Sequence, residues 1–449
     1  MNTGERLRSE TWLLSVGGAC LACLIILNNV IYHYQPSNDA LIYLALGREF
    51  ARFEFVNPAT TWSLAPGYSL FLAILSPLTG WKPQFIAMWQ AVLFYVAALA
   101  YVRELRRGHV LRDPLEFRLA FLLLVGNPNL WFPMGAIGSE FLAGVLVLLV
   151  TTALLRARRI QTNGALLVAS GWLGCLAITR FEWLALPFLA VFLLPKSKRG
   201  RAALLLVIGP MLALALNGFR NQITFGEFRP MSYGGGAAIY GGNNLNLDGS
   251  WHKGEDWDIY VPEAHHTAFH KLQDLKTENF NQFVREQDAF WRELAREAWA
   301  SGPVIQLGVI PLKFGKLWAM PNHFDIYTGD RTYVRSLQIA ELLNVNRWPW
   351  YGPWKHGLYL FLHWVLLGLV GVGFIRSWRE RTNHDARAFC LYVFAVFAAM
   401  SLIFAVPLYG LSRFHVPILM LLSSFAVNPL ASLIRSRVPA LAVINPRPE

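Results

Sequence analysis

The sequence predicts an all-α integral membrane protein: about ten transmembrane helices, an external loop carrying interfacial helices, and a small external helical and irregular region. Three observations predict it. Only 15% of the 449 residues are charged and 55% are hydrophobic, where a soluble domain carries about a quarter charged. Apolar runs long enough to span a bilayer recur along the chain. The basic residues, which give a formal net charge of +12, fall in short clusters between those runs. That is the pattern of cytoplasmic loops, and it argues against a nucleic-acid partner, which needs a basic groove or stripe.

The first run, Trp12 to Tyr32, follows Arg6 and Arg8 and is longer than a signal-peptide core. It is expected to be retained as the first helix, with its N-terminus in the cytoplasm. The basic clusters then set the sidedness: Arg103, Arg106, Arg107, Arg112 and Arg118; Arg156, Arg158 and Arg159; Lys196, Lys198, Arg199 and Arg201; Arg376, Arg379, Arg381 and Arg387; and Arg435 with Arg437. With all of them inside, spans fall near 12–32, 85–102, 119–135, 138–155, 164–179, 183–195, 202–217, 355–375, 388–407 and 414–433. Both termini are then cytoplasmic. The two short segments in 164–195 read equally as a partly inserted hairpin. The expected setting is the inner (cytoplasmic) membrane of a bacterium, since no Asn-x-Ser/Thr acceptor occurs.

The chain divides into a transmembrane module, 1–217, whose first external loop is 33–84; an external region, 218–353; and C-terminal helices, 354–449. In the first loop, Leu41, Leu44 and Ala45 oppose Arg48, Glu49 and Arg52, an amphipathic pattern. The apolar piece from Pro66 to Leu75 is short for a span and bounded by Pro66 and Pro77, so it is expected along the interface. The second region opens on Gly234-Gly235-Gly236 and Gly241-Gly242-Asn243-Asn244, where positive φ is expected. Phe280, Phe283, Val284, Trp291, Leu294 and Ala298 then share one helix face. Pro303 to Met320 is apolar but broken by Pro311, Lys313 and Lys316, and is expected on or in the outer leaflet. Cys20, Cys23, Cys175 and Cys390 all lie in apolar runs and read as small buried residues.

Ionisable residues gather at the external helix ends. Asn38-Asp39 follows the first span, Ser139-Glu140 and Thr179-Arg180-Phe181-Glu182 occupy two later turns, and Arg413 the last. Taken singly, each is an ordinary interfacial charge reaching for water. Together they supply carboxylates that deprotonate a hydroxyl or hold a divalent ion, and arginine forks that hold a phosphate. Glu263, His265, His266 and His270 offer a second place for a metal, though solvated loop histidines are commoner. Lys82 beside Pro83 reads as a headgroup anchor.

These pieces resemble the GT-C glycosyltransferases, in the branch of the protein O-mannosyltransferases and the aminoarabinose transferase of lipid A. Asn38-Asp39 with Tyr43 and Gly47-Arg48 resembles the family's first external loop, and Ala65-Pro66-Gly67-Tyr68 its Pro-Pro-x-Tyr motif. Ser139-Glu140 resembles the Ser/Thr-Glu signature of the fourth helix. Thr179-Arg180-Phe181-Glu182 resembles the Thr-Arg-Pro-Glu segment, with Phe181 in place of proline. Arg220-Asn221, Phe225-Gly226 and the 241–244 stretch look like the opening of the large external loop, and Ser412-Arg413-Phe414 with Pro417 like the late Arg-Tyr-x-x-Pro motif. The first loop lacks the paired Asp-Glu of the O-mannosyltransferases, and no large soluble domain is present, so acceptor recognition falls to 218–353.

The resemblance implies inverting transfer of one sugar from a polyprenyl-phosphate sugar to an envelope glycan, lipid or protein acceptor on the periplasmic face. It implies Asp39 as general base and Glu140 as a second acid binding metal or acceptor, with Mg or Mn as the candidate ion. Arg413, with Arg180, is expected to face the donor phosphate. Asn243, Asn244 and Glu182 are candidates for sugar or acceptor; the asparagines read equally as turn residues. Two rivals stand beside this reading. A flippase of lipid-linked sugars predicts polar residues in helix midsections, and an O-antigen polymerase or ligase predicts long-loop arginine pairs, for which Arg331 and Arg335 are the nearest match.

Overall fold

The computed structural model describes residues 11, 15–19, 39–58, 62–127, 130, 136–243, 261–318, 351–379, 384–408 and 412–437. All regular structure among them is helical, so the protein is an all-α membrane protein. Six helices are long and apolar enough to cross a membrane: Pro83–Arg107, Ser139–Ile160, Lys196–Phe225, Leu360–Arg379, His384–Ala405 and Val416–Arg437. They match six of the ten expected spans. The expected span 12–32 lies almost wholly outside the described residues.

In chain order the elements are α1 (Asp39–Ala51), α2 (Gly67–Thr79), α3 (Pro83–Arg107), α4 (Pro114–Val125), α5 (Ser139–Ile160) and α6 (Asn163–Thr179). A broken stretch follows, with 3-10 turns at Phe181–Ala185 and Val191–Leu193 around α7 (Leu186–Ala190). Then come α8 (Arg199–Phe225), α9 (Gly235–Asn243), α10 (His266–Glu278), α11 (Phe280–Ser301), α12 (Pro303–Trp318), α13 (Tyr351–Arg379), α14 (His384–Ala405), α15 (Val416–Leu422) and α16 (Val427–Arg437).

Several boundaries differ from the sequence expectation, each for a local reason. The span expected at 119–135 is instead a helix that starts at Pro114 and stops at Gly126. Asp113 caps its start by accepting from the amides of Leu115 and Glu116 at 2.8 and 3.0 Å. The segment 183–195 is not one helix: Pro187 lacks the N–H that an α-turn needs, and the chain winds as 3-10 on either side. The last span is likewise broken, with a 3-10 turn at Ser423–Ala426 between α15 and α16. Arg220, Asn221 and Phe225 belong to the final turns of α8 rather than to a loop beyond it.

The amphipathic reading of α1 holds for Leu44, which is buried, and for Arg48 and Arg52, which are exposed, but not for Leu41 or Glu49. Leu41 is 55% exposed, whereas Glu49 is buried and accepts from Asn57 Nδ2 at 2.7 Å. The glycine stretch at 234–242 is largely the helix α9, and its glycines serve close approach rather than positive φ. A Cβ on Gly236 would meet the Asp288 carbonyl at 2.3 Å. Among the described residues the positive-φ glycines are Gly80 and Gly226. The expected face of α11 is borne out: Phe283, Val284, Trp291, Leu294 and Ala298 are buried. Four of them close a small core in two clusters, Trp291 and Leu294 with Tyr240 and Phe269, and Phe283 and Val284 with Tyr233. Asp288 pins that unit together, pairing with Arg229 and with Arg292 and accepting from the Gly236 amide at 2.7 Å.

The basic clusters meet at one end of the bundle. Arg158 pairs with Asp385 at 2.6 Å, Arg159 and Arg107 with Glu104, and Arg435 with Asp113. Ser139 and Glu140 start α5 and Arg158 and Arg159 end it, so the acidic motif sits at the opposite end, about 30 Å away by helix rise. Lipid faces the outside of the bundle: Leu204, Met211, Leu216, Phe219 and Ile223 on α8 are all more than half exposed.

Inside lipid, apolar surface does not drive helices together, so close backbone packing and hydrogen bonds must. At the α6–α8 crossing Ser170 Oγ accepts from the Gly209 amide at 2.7 Å and donates to the Leu206 carbonyl at 3.1 Å. That carbonyl would otherwise lack its helical partner, because residue 210 is proline. A Cβ on Gly209 would lie 1.9 Å from the Ser170 carbonyl oxygen. Gly209→Leu is therefore expected to lose about 1–3 kcal/mol or more through overpacking. Thermal unfolding in detergent checks this, and a variant as stable as the parent would contradict the backbone contact.

Candidate active site

Motifs singled out in the sequence at several helix ends converge at the end of the bundle opposite the basic clusters. Asp39 opens α1, and one turn later the buried Tyr43 donates from its hydroxyl to Ser139 Oγ at 3.0 Å. Ser139 and Glu140 open α5. Both carboxylates thus lie in first helical turns, where free backbone N–H groups and the helix dipole favour negative charge. Glu140 folds back over Gly138, where a Cβ would come within 2.8 Å of its Oε2. Arg180, at the end of α6, bridges two acids: Nη1 lies 3.1 Å from Glu140 Oε1 and Nη2 2.9 Å from Glu182 Oε1.

The lining around these charges is aromatic. The Arg180 guanidinium sits 4.7 Å from the centroid of the Phe414 ring, which itself stacks on Phe404. Tyr68 meets Tyr43 edge-on at 4.9 Å. Its hydroxyl donates to Gln90 Oε1 at 2.8 Å, and Gln90 Nε2 donates to the Ala136 carbonyl at 3.0 Å. Gly67 is required at the start of α2, since a Cβ there would lie 2.5 Å from Thr179 Oγ1. The Ala65-Pro66-Gly67-Tyr68 motif is thereby locked against both α1 and α6.

Burial raises the Tyr43 phenol above its ordinary pKa, and the charges of Glu140 and Asp39 raise it further. It is a neutral hydrogen-bond donor in the working pH range. Arg180 thus holds Glu140 and Glu182 together, and Asp39 stands one turn from Tyr43, whose hydroxyl bonds Ser139 beside Glu140. Arg413 lies in the 3-10 turn Ser412–His415, next to Phe414; its side chain is outside the described residues. Asn243 is fully buried, in a helix rather than a turn, with its amide bonded to the Ile239 and Pro407 carbonyls. Asn244, Arg331 and Arg335 lie outside the described residues.

No group of three His, Cys, Asp or Glu side chains able to hold an ion occurs among the described residues. Glu140 is engaged by Arg180, so Asp39 and Glu140 make a poor ligand pair for a divalent ion. In the external region His265 pairs with Glu297 at 2.7 Å and His266 bonds the Val261 carbonyl, so these histidines serve the small core. The sequence reading missed the Tyr68–Gln90–Ala136 chain. Gln90 stood out by nothing but being a polar residue within an apolar run.

No family model matches the sequence, and no curated protein does. Among solved structures, the fold is similar to that of the Archaeoglobus fulgidus oligosaccharyltransferase in its apo form. The TM-score is 0.53, at 11% identity, over 98% of this chain and 52% of that one. Oligosaccharyltransferase AglB of the same archaeon, in complex with an inhibitory peptide and a dolichol-phosphate, gives a TM-score of 0.48 at 11% identity over 98% and 53% of the two chains. The chain spans about half the length of the proteins it resembles. The likeness is one of fold.

Proposed function

From a fold shared with an oligosaccharyltransferase, we propose that this chain is a membrane glycosyltransferase. It takes one sugar from a polyprenyl-phosphate sugar and passes it to a hydroxyl of an envelope glycan, lipid or protein. The carrying observation is that the start of α1, with Asp39, is bonded through Tyr43 to Ser139 beside the Glu140–Arg180–Glu182 bridge, at the end of the bundle opposite the basic clusters. By the positive-inside rule that end faces the periplasm of an inner-membrane protein with cytoplasmic termini.

In the proposed step Asp39 accepts the proton of the acceptor hydroxyl as its oxygen attacks the anomeric carbon. The bond from that carbon to the phosphate oxygen breaks on the opposite face, and the prenyl phosphate leaves with the electron pair. The configuration inverts. Arg413 holds the departing phosphate. Arg180, held between two carboxylates, serves instead to fix Glu140 and Glu182, with Glu140 positioned for acceptor or sugar hydroxyls. A groove of about 530 Å³ supports a prenylated donor. It is lined by Pro66, Leu70, Ile178, Leu212, Leu216 and Arg220, beside the Thr179–Gly67 contact.

The direct test supplies the protein, in vesicles, with radiolabelled polyprenyl-phosphate sugars and an envelope extract. Label passing to an acceptor, with free prenyl phosphate left behind, is the expected result. Intact donor across the common sugars would overturn the donor class. Arg413→Ala and Arg413→Lys are both expected to weaken donor binding by roughly ten-fold or more, because lysine lacks the planar fork. A structural ion pair would tolerate lysine, so parent-like binding by Arg413→Lys would remove Arg413 from the phosphate site.

A further inference from the structure

Lys313 lies near the end of α12, and the whole residue is buried at 0% exposure. Its ammonium donates to Asn243 Oδ1 at 2.8 Å and to the Val406 carbonyl at 3.3 Å. Asn243, the last residue of α9, carries the link onward: its Nδ2 donates to the Pro407 carbonyl at 2.8 Å, and its own carbonyl accepts from Gln306 Nε2. One turn beyond Lys313, the Leu317 carbonyl accepts from His415 Nδ1. Two helices therefore hold Val406 and Pro407 just after α14, and His415 at the start of α15. Between Pro407 and His415 lie Arg413 and Phe414, and the Phe414 ring carries the Arg180 guanidinium.

A buried ammonium is unfavourable unless its bonds repay desolvation. Burial alone pulls the Lys313 pKa down to about 8. Among the described residues no carboxylate pairs with Lys313, so an apolar side chain of similar length would hold α12 in place with less penalty. What such a side chain lacks is a donor for the carbonyls that follow α14. That helix ends at Ala405, and its terminal carbonyls have no partner within the helix. A cation at a helix C-terminus both satisfies such a carbonyl and complements the dipole.

We propose that Lys313 and Asn243 form a latch that fixes Val406 and Pro407 at the end of α14, making Lys313 a positioning residue for donor binding. The inference rests on the proposed donor site at Arg413, while the latch itself is read from bonds among described residues. Through it, the external helices α9 and α12 set the place of the turn that completes the site. Lys313 does not touch the donor.

The test compares Lys313→Met and Lys313→Arg in the full chain, reading hydrogen exchange in 406–415, thermal stability, and KM for a polyprenyl-phosphate sugar. Lys313→Met is expected to raise exchange in that segment and raise the donor KM by roughly ten-fold or more, since small misplacements of a binding group have large effects. Its melting temperature is expected to stay at or above the parent's, because a buried charge is gone. Lys313→Arg, which keeps charge and donors, is expected to restore protection. If the methionine variant does not fold, Lys313→Gln removes the charge while keeping a polar group, and the same readings apply. Unchanged exchange would overturn the latch. Raised exchange with an unchanged donor KM would overturn its link to the donor. Should the parent protein not use such a donor at all, the functional proposal fails, and the exchange measurement still decides the latch.

Discussion

Asp39→Asn is expected to lower sugar transfer by about 10²–10⁴-fold, the contribution of a well-placed general base, while the protein folds and binds its donor. Asparagine keeps the shape of aspartate and remains a good residue at a helix start, so α1 should form as before. Asp39 is only part-buried, and removing its charge leaves no buried ion stranded. The assay is single-turnover transfer with saturating donor, beside equilibrium donor binding and thermal unfolding of the same preparation. Transfer within a few-fold of the parent would remove Asp39 from the mechanism and shift the base to Glu140.

Arg180→Met is expected to act on folding as much as on chemistry. The arginine is 9% exposed and Glu140 7%, so removing the cation takes an ionic contact from the buried Glu140 and a hydrogen bond from Glu182. Breaking a buried pair from one side costs about 3–5 kcal/mol. Adding Glu140→Gln to the same chain removes the buried charge, and the double variant is expected to recover part of the loss, as coupled neighbours do. Thermal unfolding of the two singles and the double gives the coupling. A single Arg180→Met variant as stable as the parent would show that the bridge contributes little. It would also return Arg180 to the list of phosphate ligands.

The two variants mark where the site was legible and where it was not. Asp39, Glu140, Arg180 and Glu182 were found from sequence because an ionisable residue at the end of an apolar run needs a reason, and their shared sidedness followed from the arginine clusters. The role of Arg180 was not legible. A guanidinium reads equally as a phosphate ligand or a carboxylate partner until its neighbours are known, and Glu140 lies 40 residues away along the chain. Lys313 was read as an interruption of an apolar helix, and only its bonds to Asn243 and Val406 give it a purpose. The breaks at Gly126 and Pro187 carried a local signal, since glycine and proline sit there, but the hydropathy of the surrounding runs outweighed it.

By itself the sequence determined that the chain is helical and lies in a membrane, which ends of its helices carry charge, and which of those ends share a side. These follow from transfer energetics along one dimension: apolar length, basic loops and the penalty for a charge in lipid. The tertiary structure alone decided which groups meet. The Tyr43–Ser139 bond, the Glu140–Arg180–Glu182 bridge, the Phe414 ring beneath it and the Lys313–Asn243 latch depend on how helices are turned and shifted against one another. In lipid that register is set by close contacts such as Gly209 on Ser170 and Gly67 on Thr179, where one methyl group decides whether two backbones can touch.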